Sequence, residues 1–103
     1  MIEVRETEVF RRWMTDLRDA MAKARIAARI RQLAFGLLGD IRPVGDGVSE
    51  LRVHVGPGYR VYVVQQGGVL IVVLCAGDKG SQARDIARAK AMARDLGQNE
   101  GDA

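Results

Sequence analysis

The chain has 103 residues, a length typical of one domain. Hydrophobic residues make up 48% of it and charged residues 28%, a balance that excludes an intrinsically disordered chain. Its single cysteine excludes an intrachain disulfide and a cysteine-rich zinc site. The sequence has neither an apolar run of membrane-spanning length nor an early apolar signal segment. We therefore expect a cytoplasmic protein that does not insert into a membrane.

The formal net charge is +3, and thirteen of the sixteen basic side chains are arginines. A guanidinium binds phosphate through two parallel hydrogen bonds and stacks on bases, whereas a lysine ammonium acts as a point charge. The charge therefore fits a nucleic acid or an acidic protein as partner, although a net charge of this size is also common on soluble surfaces.

The N-terminal half is predicted to form a short strand and two helices. Residues 2–4 alternate like a strand, and Thr7 is a favourable N-cap for the helix that follows. The apolar residues of that helix recur at helical spacing: Phe10, Trp13, Met14 and Leu17. Asp19 is placed to cap a second helix over residues 20–38, which ends in a glycine-containing segment before Pro43.

The C-terminal half is predicted to form three strands and a helix. From Val48 the apolar period changes to two, and glycine-rich turns at residues 56–58 and 67–68 separate the strands. The last strand, residues 69–76, is almost wholly apolar, which indicates burial on both faces. A final helix over residues 82–96 follows, with Asp78 or Ser81 as its cap.

The element order β-α-α-β-β-β-α predicts an α+β domain over residues 1–96, followed by a flexible polar tail over residues 97–103. We expect an antiparallel sheet with its helices on one face. The predicted core has these members: Trp13, Leu17, Ile30, Leu33, Val53, Val61, Val72, Leu74 and Ile86.

Strand register predicts a polar face on the sheet. A three-residue turn at 56–58 would pair His54 with Arg60 and Arg52 with Tyr62. The next hairpin would pair Arg60 with Cys75, and continued alternation would bring Lys79 to the same face. The candidate site residues are Arg52, His54, Arg60, Tyr62, Lys79 and, at the start of the last helix, Arg84.

Such a face can hold a phosphodiester. The cations would neutralise the phosphate, Tyr62 would stack on a base, and His54 would move a proton near neutral pH. The structural alternative is an ordinary polar outer face with a solvated histidine.

Two further features are interpreted as structural. Cys75 lies in an apolar strand and is expected to be a small buried hydrophobic residue. Residues 77–81 lie at a strand–helix junction like a phosphate-binding loop, but they lack the length and the Gly-Lys-Ser/Thr ending of that motif.

Three segments resemble the small toxins of bacterial type II toxin–antitoxin modules. They are residues 50–62 with the run Gly-Pro-Gly-Tyr-Arg-Val-Tyr, residues 74–79 with Gly-Asp-Lys, and residues 85–89. The chain resembles most closely the addiction-module killer proteins of the RelE/ParE superfamily, near its HigB-like branch. The likeness extends over residues 2–96 in length and element order.

The resemblance implies a RelE-like fold and a ribosome-dependent endoribonuclease, or mRNA interferase, that uses no metal or other cofactor. In RelE-like enzymes the ribose 2′-OH attacks the adjacent phosphate and gives a 2′,3′-cyclic phosphate, while basic residues of the sheet stabilise the transition state. The family's sheet arginine matches Arg60, and the basic positions of the preceding strand match Arg52 and His54. The basic position after the last strand matches Lys79.

The implied partners are the ribosome, mRNA and a cognate antitoxin of the helix-turn-helix, HigA-like kind. The chain departs from the RelE-like pattern because no Tyr or His follows Tyr62, which leaves His54 or a cation as acid or base. The same departure fits the ParE-like proteins, which inhibit DNA gyrase without catalysis. A basic nucleic-acid-binding module outside this superfamily is the third interpretation.

Overall fold

A computed structural model of the chain describes the backbone of residues 1–102 and the side chains of residues 1–97. Over these residues the order is β1 (Glu3–Glu6), α1 (Glu8–Asp16), α2 (Ala20–Leu33), β2 (Ile41–Gly45), β3 (Val48–Val53), β4 (Tyr59–Gln66), β5 (Leu70–Asp78) and α3 (Gln82–Asp102), with a 3₁₀ turn at Lys79–Ser81. The predicted α+β class is confirmed. None of the helices described is long and apolar enough to cross a membrane.

The sheet is mixed, with the strand order β1-β5-β4-β3-β2. Strands β2 to β5 are antiparallel neighbours, but β1 lies parallel to β5, with Glu3 opposite Leu70. The prediction of a wholly antiparallel sheet is therefore wrong at this edge. Parallel neighbours need a long crossover connection, and the segment between β1 and β5, which includes α1 and α2, provides it.

Strand β2 is absent from the predicted element order. A two-residue turn joins it to β3, with positive φ at both Asp46 (56°) and Gly47 (79°). Asp-Gly is a preferred sequence for such a turn, because its backbone twist matches that of the strands. Pro43 is tolerated in β2 because this strand forms an edge of the sheet.

Local hydrogen bonds set the helix starts as predicted. The Thr7 hydroxyl accepts from the amide of Phe10, and an Asp19 carboxylate oxygen accepts from the amide of Ala22. Helix α2 ends at Leu33, five residues before the predicted end. Helix α3 continues to Asp102, so the predicted tail is helical backbone up to that residue. Ala103 and the side chains of residues 98–103 lie outside the described residues.

Helices cover both faces of the sheet, and the prediction that they share one face is wrong. One core lies between the sheet and the first two helices; it includes Phe10, Ile26, Ile30, Leu33, Leu51, Val53 and Val61. The other lies under α3; it includes Val48, Tyr62, Val72, Leu74, Cys75 and Ala89. The predicted single core is therefore split by the sheet, and Trp13, Leu17 and Ile86 are only partly buried. The prediction that β5 is buried on both faces is confirmed, and this burial requires helices on both sides of the sheet.

Gly77 allows the start of α3 to approach β5. A Cβ at this position would stand 1.9 Å from an Asp85 carboxylate oxygen and 2.7 Å from the Ser81 hydroxyl. Asp85 is buried and accepts a hydrogen bond from Ser81. The missing side chain therefore fixes how closely α3 and the 3₁₀ turn lie against the end of the sheet.

Candidate functional site: a basic cleft at the end of the sheet

An open cleft of about 660 Å³ lies where β3 ends, β4 begins and the 3₁₀ turn follows β5. We call it the basic cleft; its lining residues are Arg52, Val53, His54, Val55, Gly56, Pro57, Gly58, Tyr59, Arg60, Lys79 and Gln82. None of these lining residues is acidic. The cleft therefore presents three permanent cations and one histidine to solvent.

The β3–β4 register differs from the predicted one by two residues. Arg52 lies opposite Arg60, and Glu50 lies opposite Tyr62. Strand β3 stops at Val53, and residues 54–58 form a longer loop in which Gly58 donates its amide hydrogen bond to the Val55 carbonyl. His54 is therefore in the loop and not opposite Arg60. A shift of two residues preserves the alternation of faces, so Arg52 and Arg60 still share a face.

The β4–β5 register also differs from the prediction. Arg60 lies opposite Gly77, and Tyr62 lies opposite Cys75. The register shifts beyond Tyr62, where Leu74 is the extra residue on β5, so both Leu74 and Cys75 contribute to the core under α3. The predicted pair of Arg60 with Cys75 is wrong by two residues: the turn has three residues and not two, since Gln66 pairs with Leu70, and the bulge at Leu74 adds the second.

Lys79 reaches the cleft through the 3₁₀ turn. Its amide donates to the Gly58 carbonyl at 2.9 Å, which ties this turn to the loop between β3 and β4. The Asp78 side chain accepts from the amides of Gly80 and Ser81 and so holds the turn. Lys79 is exposed, and its position beside Arg60 in the cleft agrees with the predicted grouping.

A buried carboxylate organises the floor of the cleft. Glu50 is 1% exposed, and its Oε2 accepts hydrogen bonds from the Tyr62 hydroxyl at 3.1 Å and from Gln82 Nε2 at 3.0 Å. Its Oε1 lies 3.4 Å from the Nε atoms of both Arg52 and Arg60. Burial and the neighbouring Glu50 carboxylate raise the pKa of Tyr62 well above its usual value. The phenol therefore stays protonated and donates to Glu50.

One carboxylate balances only one of the two guanidinium charges. The Arg60 side chain is 10% exposed, and within the described part of the chain its buried Nε has no hydrogen-bond partner. Its Nη1 lies 4.0 Å from where a Cβ on Gly58 would stand, so the guanidinium tip lies against the loop between β3 and β4. The excess positive charge is therefore fixed in place by the fold and directed at the cleft.

Two predicted site residues have other positions. The Tyr62 ring is fully buried under α3, so the expectation that it stacks on a base is wrong in this structure. Arg84 lines a neighbouring cleft with Trp13, Arg88 and other residues, and it is not part of the basic cleft.

His54 has a partner that the sequence did not indicate. Its Nε2 lies 2.6 Å from Oδ2 of Asp40, which precedes β2. The hydrogen bond from His54, with smaller contributions from the charges of His54, Arg52 and Arg29, lowers the pKa of Asp40 below its usual value. Asp40 and Glu50 were both missed as partners of the predicted cations. The burial of Glu50 could have been inferred from the apolar sequence of β5. A strand buried on both faces needs a helix on each face of the sheet, and α3 covers the face that carries Glu50.

The arrangement suits binding of a phosphodiester with proton transfer beside it. Arg52, Arg60 and Lys79 can neutralise an anionic group, and the His54 imidazole can accept or donate a proton beside it. Among the residues described, no three His, Cys, Asp or Glu side chains come together in a way that could hold a metal ion.

The chain is 49% identical over 96 residues to an uncharacterized protein of Haemophilus influenzae, and the match covers 93% of this chain and 97% of that protein. The chain belongs to the same family as this Haemophilus protein. A match of this length necessarily includes residues 40–82, so the whole cleft lies within the region that the two family members share. No model of a known protein family matches the chain.

Proposed function

We propose that this protein is the toxin of a type II toxin–antitoxin module in the RelE/ParE superfamily and that it cleaves mRNA on the ribosome. The observation that carries the proposal is the basic cleft, in which Arg52, Arg60 and Lys79 share the lining with one histidine and no acidic side chain is part of the described lining. The toxin-like segments at residues 50–62 and 74–79 supply most of that lining.

The proposed reaction is an internal transesterification. The 2′-OH attacks the adjacent phosphorus, and negative charge accumulates on the phosphoryl oxygens as the pentacoordinate transition state forms. Guanidinium groups that the fold already holds in place stabilise that charge without reorganising during the reaction. The Glu50 carboxylate keeps Arg52 and Arg60 in place from below, through their Nε atoms.

The proposed regulator is a cognate antitoxin of the helix-turn-helix, HigA-like kind. Acidic side chains of such a protein would occupy the same cleft that binds mRNA, because the cleft attracts anions of either kind. Binding would also stabilise the toxin by mass action.

Lys79→Ala is the sharpest test of the cleft, because Lys79 is exposed and its side chain takes no part in the Glu50 network. We expect this variant to cleave ribosome-bound mRNA at least roughly tenfold more slowly than the parent. Primer extension on mRNA in a reconstituted translation reaction measures the rate and shows the cut sites. Arg94→Ala removes the same charge from an exposed position on α3 outside the cleft and is the matched control.

Arg60→Lys tests the guanidinium itself. Arg60 is nearly buried against Glu50, so alanine at this position would disturb the fold as well as the cleft. Lysine keeps the charge but loses the planar fork, and we expect only partial activity. Full activity of both Lys79→Ala and Arg60→Lys, at equal amounts of soluble protein, would rule out a catalytic cleft.

The second candidate is ParE-like inhibition of DNA gyrase. It is favoured by one observation: the cleft offers a single histidine for proton transfer, since Tyr62 is buried under α3. Growth arrest without discrete mRNA cuts, together with inhibition of DNA supercoiling by purified gyrase, would favour this function over cleavage.

A further inference from the structure

The only histidine in the sequence, His54, is held by a carboxylate. Its side chain is 73% exposed at the basic cleft, and its Nε2 lies 2.6 Å from Oδ2 of Asp40. A hydrogen bond from Nε2–H to Asp40 leaves Nδ1 as the free lone pair of the neutral ring. The pair therefore selects both a tautomer and an orientation for an otherwise mobile surface side chain.

Asp40 is itself fixed by the sheet and by α2. Its carbonyl accepts from the backbone amide of Arg52 at 3.0 Å. Arg29 of α2 donates from Nη1 to the Arg52 carbonyl at 2.6 Å and from Nη2 to the carbonyls of Leu38 and Asp40, at 3.0 and 3.3 Å. One guanidinium thus ties the segment before β2 to the end of β3.

Gly39 makes this close approach feasible. It has a φ of 64°, and a Cβ there would stand 2.9 Å from Arg29 Nη2. The segment that carries Asp40 is therefore built against Arg29.

We propose that Asp40 is a positioning residue for His54, and that His54 is the base that accepts the 2′-OH proton during RNA cleavage. This inference rests on the function proposed above. The proton moves from the 2′-OH to Nδ1 while the O2′–P bond forms and the P–O5′ bond breaks. The departing 5′ oxygen takes a proton from water. Asp40 acts through the ring and does not touch the RNA.

The charges around His54 explain why a carboxylate is needed. Arg52, Arg60 and Lys79 line the same cleft, and Arg29 lies beside Asp40, so Asp40 stands among four cations. Asp40 is the carboxylate in direct contact with the ring, so its negative charge lies next to the positive charge that develops when the ring accepts the proton.

Asp40→Asn tests the charge of this pair while nearly preserving its shape. Proton NMR of the untagged protein reports the His54 ring without ambiguity, because the sequence has one histidine. We expect the midpoint of the ring's pH titration to be lower in Asp40→Asn than in the parent, because a neutral amide replaces the carboxylate that contacts Nε2. Asp46→Asn, which removes an exposed carboxylate from the β2–β3 turn, is the matched control and should leave the midpoint unchanged.

The second measurement is the cleavage rate of ribosome-bound mRNA as a function of pH. We expect the acidic limb of the Asp40→Asn profile to move to lower pH by the same amount as the NMR midpoint, with a lower plateau rate, because a weaker base accepts the proton. In His54→Ala the acidic limb of the pH profile should disappear, and the cleavage rate should fall roughly 10²-fold.

The outcomes separate the inference from the proposed function. An NMR midpoint equal in the parent and Asp40→Asn overturns the pairing. A shifted midpoint with an unshifted rate profile overturns the catalytic role, because Asp40 is then only a surface partner of the histidine. A parent protein that cuts no RNA refutes the proposed function, and the role of His54 as a base with it, even if the NMR shift is found.

Discussion

Replacement of Glu50 with glutamine removes the charge on which the cleft floor depends. Glutamine has nearly the same shape, and its side-chain oxygen can still accept from the Tyr62 hydroxyl or from Gln82. It cannot compensate the two guanidinium groups whose Nε atoms lie 3.4 Å from Glu50 Oε1. The variant therefore isolates the electrostatic part of the network.

The exposure of the two arginines sets the size of the effect. Breaking a buried ion pair by removing one partner costs about 3–5 kcal/mol. The Arg60 side chain is 10% exposed and keeps its full penalty, whereas that of Arg52 is 24% exposed and can turn towards water. We therefore expect a loss of about 3 kcal/mol, at the lower end of that range. A loss of this size is a large share of a typical stability of about 5–15 kcal/mol.

Urea unfolding followed by circular dichroism measures the difference. Glu3→Gln is the matched control, because Glu3 pairs with Arg5 on the exposed edge of the sheet and its loss should cost no more than about 1 kcal/mol. If Glu50→Gln and Glu3→Gln lower the free energy of unfolding equally, Glu50 does not hold the cleft by charge. A drop in the urea m-value would show a change in compactness instead and would also count against the argument.

Three more predictions concern β5. Leu74→Ala should cost about 2–5 kcal/mol of unfolding free energy, because Leu74 is fully buried under α3; a loss below 1 kcal/mol in urea unfolding would contradict that burial. Gly77→Ala should cost about 1–3 kcal/mol through the clash with Asp85, whereas Gly97→Ala, with open space around it, should be neutral or stabilising in the same assay. Burial, with Asp85 as a smaller contribution, raises the pKa of the Cys75 thiol from 9.0 to about 11. Because the folded protein favours the neutral thiol, the thiol stabilises the folded state fully below pH 9, and this stabilisation is lost as the pH rises through 11. We therefore expect the free energy of unfolding of the parent to fall by about 2–3 kcal/mol more than that of Cys75→Ala. Unfolding of both proteins at pH 8 and pH 11 checks this, and equal changes in the two would refute it.

The sequence predicted helix starts and strand faces because each rests on local chemistry. Thr7 and Asp19 cap their helices as short polar side chains do, and period-two alternation placed Arg52 and Arg60 on one face despite a two-residue error in register. Alternation fixes the parity of a strand but not which residue lies opposite which. The length of the loop after Val53 decided the register, and loop length depends on tertiary contacts such as the bond from Lys79 to Gly58.

Apart from the missed strand β2, the errors concern features that depend on residues far apart in the sequence. Helix α3, which begins twenty residues after Tyr62, packs over this side chain. The Tyr62 hydroxyl is therefore in the core although tyrosine is a polar residue on the predicted outer face. The burial of Glu50, which is 1% exposed, depends on the same distant helix through its bond from Gln82. The Asp40 carboxylate and His54 belong to different strand ends, and only the pairing of β2 with β3 brings them together. Strand β2 was recognisable from Asp46 and Gly47.

The hydrogen bond from the Thr7 hydroxyl to the Leu74 carbonyl, at 2.6 Å, spans 67 positions of the chain. Strand β1 therefore has no partner in the sheet until β5 has been synthesised. Closing so large a loop costs entropy that only β5 repays, so we expect β2–β5 to form first and the N-terminal strand to dock last. During translation, α1 and α2 would leave the ribosome without the sheet that covers their apolar faces. The lining of the cleft comes from β3, β4 and the segment that follows β5, so the cleft would assemble before the N-terminal strand docks.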